Sequence, residues 1–381
     1  MPTKLFTEAK KAKADEFYTR MYDIEIELKH YKNEFRDKVV LCNCDDPYES
    51  NFFKYFAINF NYFGLKKLIA TCYNGSPVSG TQLSLFEELP ENDRTAYKIE
   101  ITEVTDENKD GVADLMDVEF LLKNKKNVLT KLAENGDFRS FECIQLLKEA
   151  DIVVTNPPFS LFREYVQQLV DYDKKFIIMG NTNALTYREI FKLFQKDKIR
   201  TGYTNFNVGM YFLVPDDTED YHKIIDGKKA VRVSTSCWFT NLPVEKHNEF
   251  ITLYEKYNPD KYKKYANYDA INIDSYKEIP VDYDGFMGVP ITFLDKLNPN
   301  QFELIALGNS RDNFTPSLDF INPKKVLKDG SIRDGGAINC VLALEADSAP
   351  VGKIYYTSDN FKYLVAPYAR IIIRRKQYAQ N

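Results

Sequence analysis

Asp151-Ile-Val-Val-Thr-Asn-Pro-Pro-Phe159 is the stretch on which the fold turns. Three β-branched residues, Ile152 to Val154, read as a short buried strand. Thr155 and Asn156 end the apolar run, and the two prolines, lacking an N–H for a ladder, stop the strand. Each proline also pushes the residue before it into extended geometry. The product is a stiff turn carrying an amide side chain, two backbone carbonyls expected to lack local partners, and the ring of Phe159. In open α/β sheets, ligands bind at this carboxyl end of the strands. The cluster suits an exocyclic amine on a planar base, whose lone pair is delocalised and poorly nucleophilic. The Asn156 oxygen and the Pro157 carbonyl can each accept one amine hydrogen, which favours a pyramidal nitrogen, and Phe159 can stack on the base. The plainer alternative is a strand-ending turn with no further role.

Working outward, Lys38 to Cys44 reads as a strand, residues 45–50 as a loop and Asn51 to Phe63 as an aromatic-rich helix. Lys66 to Tyr73 is the next strand. Phe141 to Glu149 is a helix leading into the Asn-Pro-Pro-Phe strand; Phe162 to Leu169 follows as a helix and Lys174 to Met179 as a strand. Strands alternating with helices of this length predict an α/β, doubly wound sheet. The strands at Gly209 to Val214 and Ala230 to Asn241 are expected to complete it, as an antiparallel pair. Residues 75–130 read as an insertion containing an exposed alternating strand, Tyr97 to Val104. Within it, Asp106, Asn108, Asp110, Asp114 and Asp117, with Gly111 at the bend, have the spacing of a calcium loop, making a structural Ca2+ a candidate ligand. A polar turn rich in Asp and Asn, with Asp117 as a helix cap, is the competing reading. The catalytic domain is taken as residues 1–245. Residues 246–381 form a second region, rich in Tyr, Lys and Asn and ending in a basic strand at Tyr368 to Lys376.

Apolar content of 44% with 14% aromatics is enough for a sizeable core in 381 residues. No apolar run reaches membrane-spanning length, and the first residues are polar, so no membrane association and a cytoplasmic location are expected. The six cysteines have no framework spacing and read as free thiols. A net charge of −5 does not advertise nucleic-acid binding. Five basic residues and no acidic one between Phe361 and Asn381, with smaller basic groups at 192–200 and 324–333, leave room for it.

Asn156-Pro157-Pro158-Phe159 resembles the catalytic motif of N6-adenine methyltransferases that use S-adenosyl-L-methionine. With Asp15-Glu-Phe-Tyr-Thr19, Cys42-Asn-Cys-Asp-Asp-Pro47, Gly136-Asp-Phe138, Trp238-Phe-Thr-Asn-Leu242 and Tyr283-Asp-Gly-Phe-Met-Gly-Val-Pro290, the chain is similar along most of its length to the EcoRI-type adenine-specific DNA methyltransferases of restriction–modification systems. The resemblance implies a Rossmann-like S-adenosylmethionine-dependent domain plus a C-terminal target-recognition domain. It implies methyl transfer to adenine N6 in double-stranded DNA, after the base has left the stack, beside a cognate restriction endonuclease. It makes Asn156, Pro157, Pro158 and Phe159 catalytic. Phe17, Tyr18 and Thr19 belong to a segment that closes over the cofactor. Asn43, Asp45, Asp46 and Pro47 form the loop whose carboxylate holds the cofactor's ammonium group, with a helix N-cap as the alternative for that acid. Asp137 and Phe138 meet the cofactor's adenine. The glycines usual in the first loop are absent, as is the usual acid after the second strand, where backbone groups or Asn74 are the substitutes. A monomer is expected. An RNA adenine or protein glutamine methyltransferase, a catalytically silent nucleic-acid-binding protein and a calcium-dependent scaffold module are the rival readings.

Overall fold

The computed structural model describes residues 18–44, 50–73, 96–106, 117, 120, 129–206, 209–214, 221–225, 227–309 and 314–376. The chain forms two compact units, residues 1–184 with 201–243, and residues 185–200 with 244–381.

The first unit is built on a central sheet. Its main strands are β1 (Val39–Cys42), β2 (Lys67–Thr71), β3 (Tyr97–Ile101), β4 (Leu129–Lys131), β5 (Ile152–Thr155), β6 (Lys175–Asn181) and β7 (Ser236–Thr240), in the order β4-β3-β2-β1-β5-β6-β7, with the two-residue strand Arg200–Thr201 beyond β7. The four strands β2, β1, β5 and β6 are parallel, while β3, β4 and β7 run antiparallel to their neighbours. Every residue of β1 and of β5 is buried, as expected of parallel strands covered on both faces. Helix α1 (Asn51–Ile58) links β1 to β2, α2 (Phe141–Glu149) precedes β5, and α3 (Phe162–Asp171) links β5 to β6. Ser50 caps α1 by accepting the Phe53 N–H at 3.5 Å, and Ser140 caps α2 by accepting that of Cys143 at 3.3 Å. On α3, Phe162, Tyr165, Val166 and Leu169 make the buried stripe of an amphipathic helix. The chain leaves β1 for β2 on one side, and β5 flanks β1 on the other, so the carboxyl ends of β1 and β5 adjoin where the strand order reverses.

Two expectations are corrected. The strand at Tyr97 is not exposed: Tyr97, Ile99 and Ile101 are buried where β3 pairs with β2. Of the two segments expected to complete the central sheet, only the one at Ser236–Thr240 joins it. Met210–Leu213 instead lies in a separate antiparallel sheet with Tyr18–Thr19, Lys228–Val233 and Lys223–Ile225. The chain changes sheets at Thr235, whose carbonyl accepts the Thr182 N–H at 2.6 Å and whose hydroxyl accepts from the Asn181 amide at 2.7 Å.

In the second unit, a five-stranded sheet has the order Lys264–Tyr265, Tyr268–Asn272, Phe286–Pro290, Arg370–Arg375, Phe302–Leu307. Helix Arg188–Gln195 belongs to this unit, with Gln195 Nε2 donating to the Ile305 carbonyl at 2.8 Å. The basic C-terminal strand is exposed only in part, its exposed basic residues being Arg374 and Lys376. Ile371, Ile372 and Ile373 are fully buried within the sheet, Arg370 pairs with Asp274 at 2.8 Å, and Arg374 pairs with Glu303 at 2.6 Å. Among the described residues no helix is long and apolar enough to cross a membrane.

Candidate active site

Four backbone segments meet around the carboxyl ends of β1, β2 and β5. After β1, Asn43 is buried and Cys44 turns into the left-handed region at φ 77°. Asn43 is held at both its oxygens. The Thr155 hydroxyl at the end of β5 donates to its carbonyl, and the Tyr165 hydroxyl on α3 donates to its Oδ1. Tyr165 has no solvent exposure, and burial pushes its hydroxyl pKa well above the ordinary tyrosine value. Its ring also meets the edge of Phe138, with centroids 5.1 Å apart at 78°.

Phe138 belongs to the turn that precedes α2. Gly136 has φ +75°, and a Cβ there would lie 2.1 Å from the Cys72 carbonyl oxygen, so only glycine lets this turn sit on the end of β2. Gln168 Nε2 on α3 donates to the Phe138 carbonyl at 3.1 Å and fixes the far side. Asp137 is gripped by Arg139, through Nη2 at 2.6 Å and Nε at 2.8 Å, and Arg139 also reaches Glu164 at 3.2 Å. The Arg139 hydrogen bonds hold the Asp137 carboxyl below the usual carboxylate range despite its partial burial.

Asn156 follows β5 directly and is 6% exposed. Pro157 is buried, and Pro158 and Phe159 are half-buried. The loop runs into a short 3-10 turn, Phe159–Leu161, in which the Leu161 N–H donates to the Pro158 carbonyl at 3.0 Å. That carbonyl therefore has a local partner, contrary to the expectation that two would lack one. The turn braces the Asn156 loop against α3.

Strand Tyr18–Thr19 is tied to the first turn of α1 by the Asn51 amide, which donates to the Thr19 carbonyl at 2.8 Å. Thr19 is buried, and its hydroxyl finds no hydrogen-bond partner among the described residues. The structure thus brings Asn43, Asp137, Phe138 and Asn156 to the carboxyl ends of the central strands, with Thr19 tied to the start of α1. Phe17, Asp45, Asp46 and Pro47 lie outside the described residues, as does Asn74. Ser50 fills the N-cap of α1, the alternative position considered for Asp45 or Asp46. Tyr165, Thr155 and Arg139 are site residues that sequence reasoning missed. Tyr165 alone had a signal, because a tyrosine on a buried helix stripe must find a partner for its hydroxyl.

The profile of the family described as "Adenine-specific methyltransferase EcoRI" matches residues 5–376. The chain belongs to this family. It is 47% identical over 328 residues to the Type II methyltransferase M.EcoRI of Escherichia coli, an alignment covering 83% of this chain and 93% of that one. It is 40% identical over 308 residues to the Type II methyltransferase M.MpnI of Mycoplasma pneumoniae, covering 79% and 84% of the two chains. The Type II methyltransferase M.MgeORF184P of Mycoplasma genitalium is 37% identical over 308 residues. No solved structure matches.

Of the candidate calcium ligands in this adenine-specific methyltransferase, Asn108, Asp110 and Asp114 lie outside the described residues. Asp106 is half-buried and Asp117 is buried. Among the described residues no group of three or more His, Cys, Asp or Glu side chains is arranged to hold a metal ion.

Proposed function

We propose that this methyltransferase moves a methyl group from S-adenosylmethionine to N6 of an adenine flipped out of duplex DNA, as the modification arm of a restriction–modification system. In this reading the central sheet is a doubly wound, Rossmann-like methyltransferase core, and residues 246–381 form the target-recognition region. The observation that carries it is Asn156, buried at the carboxyl end of β5 beside the Asn43 end of β1, at the point where the strand order reverses. The Type II methyltransferases among its relatives support DNA as the substrate.

The residues present fit the cofactor. Phe138 offers an apolar ring, and the buried Thr19 hydroxyl is a polar atom without a partner among the described residues. Thr19, Asn43, Asp137 and Phe138 would hold it, together with Asp45 or Asp46 at its ammonium end. When bound, S-adenosylmethionine supplies an electrophilic methyl group on a sulfonium. Asn156 Oδ1 and the Pro157 carbonyl accept the two N6 hydrogens, aiming the nitrogen lone pair and stabilising the positive charge that grows on it. Phe159 stacks on the base and fixes its plane. The N6 proton leaves to water after transfer, because an alkylated aminopurine cation is strongly acidic.

Tritium transfer from labelled S-adenosylmethionine to mixed plasmid and genomic DNA, followed by nucleoside analysis, tests the reading. N6-methyladenine in the product is expected. Label appearing only in RNA or protein would overturn it.

A further inference from the structure

A cleft of the first unit uses no residue of the Asn156–Phe159 loop or of the 136–138 turn. Its volume is about 470 Å³, and its walls come from the N-terminal helix Met21–Leu28, the loop at residues 203–205 and the sheet containing Met210–Leu213. A cleft of roughly 300–1,000 Å³ suits a small ligand. Here the lining is aromatic and basic rather than aliphatic.

One wall is a layered stack. The Arg20 guanidinium lies 5.8 Å from the Tyr22 ring centroid and 5.5 Å from that of Tyr211, and Lys223 Nζ lies 3.9 Å from the Tyr211 centroid. Arg20 is forked onto Asp23 at 2.8 and 2.9 Å, so its charge is largely neutralised and its plane is fixed. Lys223 is exposed. The other wall is His30 stacked on Tyr203, with centroids 4.1 Å apart at 15°. This wall is rigidly anchored. The fully buried Glu27 carboxylate accepts the Tyr203 N–H at 2.6 Å and the Thr204 N–H at 2.7 Å. Gly202 comes so close that a Cβ there would lie 2.1 Å from Glu27 Oε1.

We infer that this cleft is a nucleotide subsite for the substrate DNA, taking one unstacked base other than the target adenine, with Lys223 on the adjoining phosphate. The inference rests on the DNA-methylating reading of the protein. Flat aromatic faces bind any base without reading its edge, and a lysine above the ring supplies the charge for a phosphate. A purely apolar ligand would leave the Lys223 ammonium unused, and an anion alone would leave the four rings unused. The target adenine is excluded as occupant because its N6 must reach Asn156, which does not line the cleft.

The test uses the full chain and a short duplex carrying the methylated site, mapped beforehand by sequencing modified DNA. Tyr211→Leu is expected to raise the KM for this duplex about tenfold, in line with ~1–3 kcal/mol of stacking per base. The KM for S-adenosylmethionine and the rate at saturating DNA should stay at wild-type values, and Tyr211→Phe should restore the KM for DNA. Lys223→Ala should reduce the slope of log affinity against log salt by about one. A wild-type KM for DNA in Tyr211→Leu, a parallel rise in the KM for S-adenosylmethionine, or failure of Tyr211→Phe to restore would each overturn the subsite. Failure of the underlying reading looks different, since the wild-type enzyme would then methylate no DNA.

Discussion

Glu27 has no solvent exposure, yet its two oxygens accept four hydrogen bonds, from Tyr31 Oη at 3.0 Å, the Tyr203 N–H at 2.6 Å, and the Thr204 N–H and hydroxyl at 2.7 Å each. A carboxylate can accept about that many, so the group is close to saturated. Removing it strands the donors away from water. Glu27→Ala is therefore expected to destabilise the chain by about 3 kcal/mol in urea unfolding, and a loss below about 0.5 kcal/mol would contradict this role. Nothing in the sequence marked Glu27, because a glutamate in a charged helical segment reads as a solvated face. Asn43 shows the same limit. Its motif was legible, but its partner Tyr165 lies 122 residues away, and no local pattern pairs them. Asn156 was legible because the prolines beside it fix the backbone locally.

At the scale of elements, the legible parts were those determined by their own sequence. The strand ahead of Asn156 and the helix Phe141–Glu149 stand where their apolar periodicity and end signals put them. What periodicity cannot supply is the pairing partner of a strand. Met210–Leu213 alternates as a strand should, but a turn at Thr235 diverts its neighbours into a different sheet. Tyr97–Ile101 alternates apolar with charged residues, which suggested exposure. Pairing with β2 on one side and β4 on the other buries its apolar face, while Lys98 and Glu100 pair with each other at 2.6 Å. Gly136 makes a turn-level prediction. Gly136→Ala combines a positive φ with a 2.1 Å approach to the Cys72 carbonyl, so the 135–138 turn must lift off β2. Cofactor affinity measured by calorimetry should fall at least tenfold, about 1.4 kcal/mol. Unchanged affinity would show that the turn does not contribute to the cofactor site.

For the molecule as a whole, a net charge of −5 means that DNA binding must come from local groups rather than from an overall field. The C-terminal strand, the most basic stretch by composition, is mostly committed to structure. Arg370 is 9% exposed and is spent on Asp274, Asn272 and the Tyr368 carbonyl. Arg370→Ala should cost about 1–2 kcal/mol of stability and leave the salt dependence of DNA binding unchanged. A reduced salt slope with intact stability would make Arg370 a phosphate contact instead. The central claim concerns the buried amide at the carboxyl end of β5. The measurement that tests it most directly is single-turnover methylation of adenine by Asn156→Ala, with cofactor affinity measured on the same preparation. The rate should fall about 100-fold or more, as when a charge-stabilising hydrogen-bond partner is removed from a transition state, with cofactor affinity close to wild type. Near-normal turnover in this variant would contradict the account.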